Sequence, residues 1–520
     1  MQGRSVDFKY NDATIIWVYL KPMEKNVKSS TSEPSPDVLY LAEQVRELDR
    51  ILIEERGIPG LTLMRRAALA CVAELLAEWP EPRRIRVYCG SGNNAADGYI
   101  VAGILAEKGI ATDVILVGDV AKLSADGRAA LKFCKQSGAK ILDSDQGCTT
   151  ATVIVDALLG TGFKGGLRAA YKSTIDSINS SDIPVLAVDV PSGLDVDTGA
   201  VPEVAVIADL TVTFIAYKRG LFTGQGVDVT GKLKFAALGA TPKPVPPGEQ
   251  VRVLNLAKLL EDIPTRPKNA HKFQFGHVLI VGGDLGMGGA PLMSALAAMR
   301  LGAGLVSLAT RPEHASILMA HQPELMIRGV SSPNELKPLL LQADIVVLGP
   351  GLGRDKWGQM LYSEVMATDL PLVVDADGLN LLASKPVKRG NWVLTPHPGE
   401  AARLLDIDSV GQDRFKAAKE LQDQYGGVVV LKGAGSIVVA NAEITLCPYG
   451  NPGMSTAGMG DVLCGAIGGL WAQLPDALQA VKLGVSLHSA AGDRCAARAG
   501  QRGILATDII PVMRELLNGI

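Results

Sequence analysis

The sequence lacks three features that would assign a protein to a class directly. None of its 520 residues belongs to an uninterrupted run of 18 or more apolar residues, so no transmembrane helix is predicted. Its formal net charge of −3 argues against binding nucleic acid through counterion release. Its seven cysteines form no CxxC pair, and a scattered odd set fits reduced thiols better than a disulfide framework. We therefore expect a cytoplasmic protein that binds neither nucleic acid nor membrane.

The composition is that of a globular chain with ample material for a core. Hydrophobic residues make up 47% and charged residues 20% of the sequence. Glycine is frequent, at 57 residues, which indicates many tight turns and close backbone approaches. At roughly 100–200 residues per domain, the length predicts two to four domains.

Residues 1–36 read as a disordered leader. The apolar piece ATIIWVYL is short for a signal-peptide core, and a polar segment rich in Ser and Pro follows Met23. We expect Met23 to be the biological start, with residues 1–22 added by an upstream start assignment. The intact mass of the natively expressed protein tests this, and a species that retains Met1 or Gln2 would contradict it.

Short apolar runs ending in glycine or acidic residues recur along the chain, with helical patterns between them. Buried strands that alternate with helices imply parallel sheets covered on both faces. The prediction is an α/β protein with two three-layer domains, at residues 37–239 and 251–520, joined by a Pro-rich linker at 240–250. The predicted strands of the first half are RIRVYCG, ATDVILVG, TATVIVDALLG, IPVLAVDVPSG and ADLTVTFIA; those of the second lie in HVLIVGG, GLVSLAT, ADIVVLG, LPLVVDAD, NWVL and GVVVLKG.

Three strand ends of the first half carry polar residues. Gly90 and Gly92 allow a turn after the first strand, and Asn93 or Asn94 can cap a helix starting near Ala95. The sequences VDALLGTGFKGG and VDVPSGLD place Asp156, Asp189 and Ser192 at the ends of two further strands. Asn94, Asp156 and Ser192 offer hard oxygens that suit an alkali or alkaline-earth cation. Each Asp could simply cap a turn, but three polar strand ends in one domain favour a ligand site.

The motifs GNNAADGY, VDALLGTG, VDVPSGLD and TFIAYKRGL resemble, in that order, the NAD(P)H-hydrate epimerase family, whose domain is called YjeF_N and has a Rossmann-like fold. The resemblance covers residues from about Leu39 to Gly239. It implies that Asn94, Asp156 and Ser192 surround a potassium ion, and Asp156 is the predicted proton-transfer residue. It also implies that the hydrated dinucleotide is held by Asn93, Asn94, Ala95, Ala96, Asp97, Gly160, Thr161, Gly162, Phe163, Lys164, Gly165, Gly166 and Asp189.

Ala95 and Ala96 depart from the family pattern, which has Gly-Gly between the second Asn and the Asp. In a first helical turn, Ala is more favourable than Gly by ~1 kcal/mol. If either position needs φ > 0, Ala is strained by ~1–2 kcal/mol, and methyl groups at a phosphate contact could block the ligand. The sequence leaves both outcomes open, with the fold and ion site expected to survive and the epimerase activity open to reduction.

The second half contains the glycine-rich motif NPGMSTAGMGDVLCGAIGGLWA. It predicts a loop leading into an apolar helix that starts near Asp461. The N–H groups of Ala457, Gly458, Met459 and Gly460 would then face one anion and stabilise a transferring phosphoryl group. Asp461 can accept a proton from a substrate hydroxyl, although an Asp at a helix start can also be only a cap.

With VGGDLGMGGAP, GAGLVSLAT, GPGLG, VVDADGLN, TPHPGE and LKGAG, this motif resembles the ADP-dependent NAD(P)H-hydrate dehydratases, which have a ribokinase-like fold. The match covers about Val251 to Ile520. The resemblance implies ADP with Mg²⁺, a homo-oligomer such as a tetramer, and small-molecule ligands, the hydrates NADHX and NADPHX. It implies a nucleotide site made of Lys432, Gly433, Ala434, Gly435, Ser436, Gly458 and Gly460, and a hydrate site made of Ala303, Gly351, Gly353, His397 and Asp461. Asp375 and Asp377 could help with Mg²⁺ or cap a helix.

The resemblance implies a metabolite-repair enzyme with two activities. NADH and NADPH can add water at C6 of the nicotinamide ring, which gives R and S hydrates. The second domain would phosphorylate the S hydrate with ADP and eliminate phosphate, leaving AMP, and the first would interconvert R and S. One alternative is a ribokinase-like vitamin kinase with a non-catalytic N-terminal binding domain; a kinase would release a stable phosphorylated product.

Overall fold

The computed structural model describes residues 37–145, 150–240 and 248–520. The predicted leader and the question of Met23 therefore lie outside the described residues, as does most of the predicted linker. Among the described residues, no helix is long and apolar enough to cross a membrane.

The first half contains a parallel sheet of seven strands in the order β4-β3-β2-β5-β6-β7-β8. The apolar runs predicted from the sequence are confirmed as five of these strands, because each is buried on both faces of the sheet. The strands are β2 (Arg84–Cys89), β3 (Ala111–Leu116), β4 (Lys140–Leu142), β5 (Val153–Ala157), β6 (Val185–Val188), β7 (Leu210–Phe214) and β8 (Lys232–Ala236). The helices are α1 (Ala42–Arg50), α2 (Gly60–Glu78), α3 (Asn93–Glu107), α4 (Ala125–Gln136), α5 (Ala169–Asn179) and α6 (Gly226–Val229).

The second half is built on an eleven-stranded mixed sheet in the order β1-β9-β18-β17-β16-β15-β14-β13-β10-β11-β12. The seven strands from β10 to β16 pair in parallel, and β17 and β18 continue the sheet antiparallel. The strands are β1 (Val38–Leu39), β9 (Val251–Val253), β10 (His277–Val281), β11 (Leu305–Thr310), β12 (Met326–Gly329), β13 (Ile345–Leu348), β14 (Leu372–Val374), β15 (Trp392–Leu394), β16 (Val428–Leu431), β17 (Ser436–Ala440) and β18 (Glu443–Cys447).

Helices cover both faces of this second sheet. The apolar α15 and the long α16 lie against each other, and their buried side chains belong to the cores that the sheet completes. The helices are α7 (Leu256–Glu261), α8 (Gly289–Arg300), α9 (Pro312–His321), α10 (Pro333–Leu340), α11 (Lys356–Met366), α12 (Asp377–Ser384), α13 (Pro398–Leu405), α14 (Arg414–Tyr425), α15 (Met459–Trp471), α16 (Ala477–Ala499) and α17 (Ala506–Leu517). The prediction of two α/β domains with layered parallel sheets is confirmed.

Strand β1 crosses the predicted domain boundary. Val38 pairs with Arg252 and Leu39 with Val251, antiparallel, so the start of the first half adds a strand to the sheet of the second. Tyr40, the next residue, forms a bridge to Lys218 in the first half. The segment after residue 37 therefore contacts both halves. The predicted boundary, which assigns residues 37–239 to the first domain, does not include this pairing with the second sheet.

Each sheet has a switch point where the strand order reverses. In the first sheet, β2 has β3 on one side and β5 on the other; in the second, β10 lies between β11 and β13. Loops from two neighbouring strands diverge at such a point and leave a crevice at the carboxyl edge, where open α/β sheets bind ligands. The polar strand ends predicted from the sequence follow β2, β5 and β6 in the first sheet, and β13 to β16 in the second.

Candidate functional sites

A cleft of about 820 Å³ lies at the carboxyl edge of the first sheet, beside its switch point. Its walls come from the loops after β2 and β5 and from the first turns of α3, together with α1 and α2. The predicted residues that line it are Asn93, Asn94, Asp97, Gly160, Thr161, Gly162, Phe163, Lys164, Gly166 and Asp189. Gly165 is not among the lining residues and adopts a positive φ of 84° in the turn between its neighbours.

The three predicted cation ligands meet around the carbonyl of Leu159. Ser192 Oγ donates to Asp156 Oδ1 at 2.6 Å and accepts from the Leu159 N–H at 2.8 Å. Asn94 Nδ2 donates to Leu159 O at 2.8 Å, which leaves the Asn94 amide oxygen free of that bond. The Ser192 and Leu158 N–H groups also donate to the Asp156 carboxylate, at 2.8 and 3.1 Å. The structure thus gathers one carboxylate, one hydroxyl, one amide and a backbone carbonyl in one place.

The Asp156 carboxyl is fully buried, and none of the ion pairs among the described residues involves it. Burial raises its pKa to about 6, although the hydrogen bonds from Ser192 and Leu158 favour the charged form. A buried carboxylate without an ion-pair partner among the described residues, next to the Ser192 hydroxyl and near the Leu159 carbonyl, offers oxygen ligands of the kind that a hard cation takes. The same burial separates Asp156 from the open cleft, which disfavours its predicted role as the proton-transfer residue.

Ala95 and Ala96 lie in the first turn of α3, and both are fully buried. Neither has a positive φ, and neither lines the cleft; their methyl groups pack into the core of the first half. The predicted helix cap is wrong, because α3 begins at Asn93 with Gly92 as its N-cap and no side-chain cap bond. Of the two backbone conformations that the sequence left open for Ala95 and Ala96, the structure has the ordinary helical one. The two alanines were predicted to bind the hydrate, but they do not line the cleft.

Asp189 is held in a strained backbone conformation with φ of 66°, which is rare for a residue other than glycine. Its carboxylate accepts from the Phe214 N–H at 3.0 Å and from Thr213 Oγ1 at 3.2 Å, and forms an ion pair with Lys218. Lys218 is fully buried and also lines the cleft. Sequence reasoning did not single out Lys218, although the motif TFIAYKRGL contains it.

Two further carboxyl groups, Asp49 and Asp97, line the same cleft. Burial raises the pKa of Asp49 to about 6, partly opposed by Lys218. Burial also raises the pKa of Asp97, and the charges of Asp189 and Asp49 act in the same direction. Among the described residues, the Asp97 carboxyl has no hydrogen-bond or ion-pair partner. Asp97 is therefore a carboxyl group with a raised pKa that lines the cleft without a hydrogen bond or ion pair to another described residue.

The second candidate site lies at the N-terminus of α15. Gly458, the N-cap, has φ of 91°, and the first intrahelical bond runs from the Val462 N–H to its carbonyl. The N–H groups of Met459, Gly460 and Asp461 precede that bond, so they are the donors that a helix N-terminus offers to an anion. The glycine-rich loop into an apolar helix is as predicted, with the helix starting two residues before Asp461.

Lys432 and two carboxylates lie next to this helix start. Lys432 Nζ is 2.6 Å from Asp375 Oδ1 and 3.8 Å from Glu400 Oε2. A Cβ at Gly460 would lie 3.2 Å from both Asp375 Oδ2 and Lys432 Nζ, so the backbone approaches the ion pair closely. Burial disfavours the charged lysine, but Asp375 and Glu400 outweigh it and raise the pKa of Lys432. Ala376, beside Asp375, has a strained φ of 48°.

Asp461 is partly buried in the first turn of α15. Burial raises its pKa to about 7, and the neighbouring charge of Asp375 adds to the shift, while Lys432 opposes it. A carboxylate whose pKa is near neutrality is well matched to accept a proton from a hydroxyl group. Its backbone carbonyl accepts from Ser294 Oγ at 2.7 Å, which fixes the helix start against α8.

His397 is the N-cap of α13. The His397 Nδ1 accepts from the Gly399 N–H at 3.0 Å, and the His397 backbone N–H donates to Glu400 Oε2 at 2.9 Å. The side chain therefore has a structural role in the loop TPHPGE, in addition to the predicted contact with ligand. Glu400, which sequence reasoning did not select, is buried beside Lys432, and burial raises its pKa.

The remaining predicted residues fall at different ends of the second sheet. Gly351 and Gly353 follow β13 with φ of 56° and 74°, and the Gly353 N–H donates to Asp377 Oδ2 at 3.0 Å. Ala303 precedes β11, so it lies at the amino edge of the parallel sheet, opposite the carboxyl edge that carries this site. The structure therefore does not bring Ala303 to the edge of the sheet that carries the other residues, and its contact with the hydrate stays a prediction. Among the described residues, no group of three or more His, Cys, Asp or Glu side chains forms a metal site.

Two family models match the chain, one in each half. The model described as YjeF-related protein N-terminus matches residues 60–220, and the model described as NAD(P)H-hydrate dehydratase matches residues 278–514. The chain is 47% identical to the bifunctional NAD(P)H-hydrate repair enzyme Nnr of Coxiella burnetii, over 92% of this chain and 99% of the relative. It is 40% identical to the enzyme of the same name from Escherichia coli K12, over 93% of this chain and 94% of the relative.

Solved structures resemble the second half. An ADP/ATP-dependent NAD(P)H-hydrate dehydratase from Bacillus subtilis, co-crystallised with ATP and Mg²⁺, is 26% identical, with a TM-score of 0.47. The similarity covers 52% of this chain and 98% of that one. A ribokinase-like superfamily protein from Enterococcus faecalis V583 is 31% identical over 52% of this chain and 96% of its own length, with a TM-score of 0.48.

Proposed function

The chain belongs to the family of bifunctional NAD(P)H-hydrate repair enzymes, and we propose that its two activities are divided between the two sites. It is an enzyme with an epimerase half and a dehydratase half. The first cleft would interconvert the R and S hydrates of NADH and NADPH. The second site would restore the S hydrate to the reduced dinucleotide with ADP as phosphoryl donor.

In the dehydratase reaction, the oxygen of the hydrate's C6 hydroxyl attacks the β-phosphorus of ADP, and Asp461 takes the proton from that hydroxyl. AMP leaves, and the first N–H groups of α15 stabilise the charge on the phosphoryl group in transit. The ring nitrogen's lone pair then expels inorganic phosphate with cleavage of the C6–O bond, and loss of a proton from C5 restores the C5–C6 double bond. The protein therefore needs only to position the reactants and hold charge and protons.

The observation that carries this assignment is the convergence at Gly460. Free N–H donors, the Lys432–Asp375 ion pair and Asp461 meet around one glycine. Mg²⁺, when bound with ADP, would neutralise phosphate charge. The described residues fit an ion that arrives with the nucleotide rather than one in a protein cage, because one or two carboxylates such as Asp377 can complete such a site.

The dehydratase assignment is tested with S hydrate and ADP. Absorbance at 340 nm should recover together with release of AMP and phosphate, and Asp461→Asn should slow this by about 10²–10⁴-fold. Omitting ADP, or supplying ATP, measures the nucleotide requirement. A stable phosphorylated product without recovery of NADH would instead favour the alternative, a ribokinase-like vitamin kinase. The relationship to NAD(P)H-hydrate repair enzymes favours the dehydratase over this alternative.

In the epimerase half, the K⁺ site proposed is made of Asn94, Asp156 and Ser192 with the carbonyl of Leu159. K⁺ there would supply a positive charge beside bound phosphate groups. Both hydrates carry a hydroxyl on the carbon next to the ring nitrogen. Inversion at C6 requires that a proton be given to the hydroxyl as the C6–O bond breaks, with the ring nitrogen's lone pair supplying the electrons and water leaving. Water then adds to the other face of C6 and returns the proton. We assign this proton transfer to Asp97, because it lines the cleft and has a raised pKa, whereas Asp156 is fully buried.

The assignment of Asp97 is tested by comparing two variants in an R-to-S conversion assay. Asp97→Asn should lower kcat with little change in the affinity for hydrate, and added K⁺ should not restore it. Asp156→Asn should remove the response to K⁺. Retention of the full epimerase rate in Asp97→Asn would rule out this role.

The compartment and the assembly stay predictions. The six cysteines in the described part of the chain are free thiols, five of them buried, which agrees with a reducing cytoplasm. A homo-oligomer such as a tetramer is proposed from the family resemblance, and light scattering coupled to gel filtration measures it.

A further inference from the structure

The predicted nucleotide loop, Lys432–Ser436, contacts the epimerase half directly. Thr223 Oγ1 lies 3.2 Å from the carbonyl oxygen of Ala434 and 3.3 Å from that of Gly435, and it is fully buried there. The Gly224 N–H donates to the same Ala434 carbonyl at 3.3 Å. These two residues follow a short 3₁₀ helix, Arg219–Phe222, that leads away from Lys218 in the epimerase cleft.

Arg414, the first residue of α14, holds the loop from the other side. Its guanidinium donates to the carbonyl oxygens of Lys432 at 3.1 Å, Gly435 at 3.1 Å and Leu431 at 3.4 Å. It also donates to the Ala434 carbonyl and to Thr223 Oγ1. None of the ion pairs among the described residues involves Arg414, which is 9% exposed. Its buried charge is thus compensated by carbonyl and hydroxyl oxygens, and only while the loop keeps this shape.

The two glycines of the loop are required by the same neighbours. Gly433 has φ of 140°, and a Cβ there would lie 2.8 Å from Arg414 Nη2. Gly435 has φ of 61°, and a Cβ there would lie 2.1 Å from the carbonyl oxygen of Phe222. One glycine therefore makes room for the arginine and the other for the backbone of the epimerase half.

We propose that Thr223 is a positioning residue of the dehydratase site, supplied to its nucleotide loop by the epimerase half. This rests on the proposed function of residues 432–436 in binding ADP. The Thr223 hydroxyl accepts from Arg414 and donates to a loop carbonyl, so it completes the set of bonds that fixes the loop backbone. Thr223 itself does not line the epimerase cleft, and its hydroxyl serves the other half.

The consequence is specific to ADP. A loop with one bond fewer samples more conformations, so the fraction ready to bind nucleotide falls and the apparent affinity falls with it. Chemistry in the bound complex depends on Asp461 and α15, which Thr223 does not touch. Loss of the hydroxyl should therefore raise KM for ADP and leave kcat nearly unchanged.

The test uses the full chain and three variants. Thr223→Val removes the hydroxyl and keeps the shape, and Thr223→Ser restores it. Thr230→Val is the matched control, because Thr230 is a buried threonine of the same half whose hydroxyl donates to the Gly226 carbonyl at 2.6 Å. Each variant is assayed for KM and kcat with ADP, for ADP binding by calorimetry, and for epimerase rate as a measure of folding.

Thr223→Val should show a KM for ADP raised about two- to tenfold, the scale of one hydrogen bond, with calorimetric affinity reduced to match. Thr223→Ser should return to the wild-type value, and Thr230→Val should not shift it. An unchanged KM in Thr223→Val, or equal loss in Thr223→Ser, would overturn the proposal. Absence of ADP-dependent turnover in the wild type would instead overturn the dehydratase assignment itself.

A fourth variant, at a different residue, guards against a fold effect at position 223. Arg414→Lys keeps the charge but cannot reach five acceptors at once. It should also raise KM for ADP, and combining it with Thr223→Val should raise it by less than the product of the two single effects, because both act on one loop. Fully multiplicative effects would contradict a shared set of bonds.

Discussion

Ala95 and Ala96 show how a local departure from a family pattern is decided by backbone geometry. Both stand in an ordinary helical turn and direct their methyl groups into the core. At such positions Ala stabilises a helix relative to Gly, so the substitution costs the site nothing.

We therefore expect Ala95→Gly with Ala96→Gly to leave the epimerase rate unchanged. Each change should lower the free energy of unfolding by about 1 kcal/mol from helix propensity alone, with lost methyl burial added to it. Urea denaturation and the R-to-S assay measure the two quantities. A faster epimerase in the double variant would mean that the methyl groups do crowd the ligand.

Asp461 should give the dehydratase an acid limb in its pH profile. Because burial and Asp375 raise its pKa to about 7, the carboxyl is protonated below that pH and cannot accept the hydroxyl proton. The single-turnover rate with saturating ADP should fall about tenfold per pH unit in this region, since the deprotonated fraction does so. The raised pKa also means that this group's contribution to stability is greatest in acid and is lost as pH rises through 7. A rate that is level across neutrality would contradict the role of Asp461 as base.

Some individual residues could be found from sequence and others could not. Asn94, Asp156, Ser192 and Asp461 follow strands or open a helix, so their neighbourhood was predictable from apolar periodicity. Asp49, on α1, was beyond such reasoning, because nothing in a helical pattern tells which tertiary cleft it will face. The position of Ala303 before β11, at the amino edge of the sheet, was not predicted, since a motif does not by itself distinguish the two ends of a strand.

At the scale of elements, the parallel strands were predictable because burial on both faces leaves continuous apolar runs, as in β5 and β10. The hairpin of β17 and β18 was not predicted, although it supports one side of the nucleotide loop. The two-residue strand β1 was also missed, because so short a segment carries no periodicity and pairs only with distant β9.

The thermal stability of the protein should depend on potassium, because the proposed K⁺ site lies at the ends of β5 and β6 and at the start of α3. Replacing K⁺ by a bulky organic cation at constant ionic strength should lower the Tm at neutral pH, because the buried Asp156 carboxylate loses its counter-charge. The pKa of Asp156 is raised to about 6, so the difference should fade as pH falls through that value and the carboxyl is protonated. Asp156→Asn should abolish it. Equal Tm values in both salts at neutral pH would mean that no potassium site forms here.

The whole molecule joins two catalytic halves by more than a linker. The start of the chain adds a strand to the second sheet, and Arg219 of the first half stacks on Phe415 at 4.3 Å and pairs with Glu249 at 2.6 Å. Thr223 then contacts the nucleotide loop. A two-domain chain was predictable from the Pro-rich stretch and from the alternation of apolar strands and helices on both sides of it. The contacts between the halves depend on which surfaces meet, and the sequence pattern does not specify that.

The central claim is that one chain returns both epimers to the reduced dinucleotide. The most direct measurement is the recovery of absorbance at 340 nm from a mixture of R and S NADH hydrate with ADP, Mg²⁺ and K⁺. The wild type should convert both epimers fully, Asp461→Asn should convert neither, and Asp97→Asn should stop when the S epimer is exhausted, apart from slow spontaneous epimerisation. Full conversion by Asp461→Asn, or a wild type that stops at the S fraction, would contradict the account.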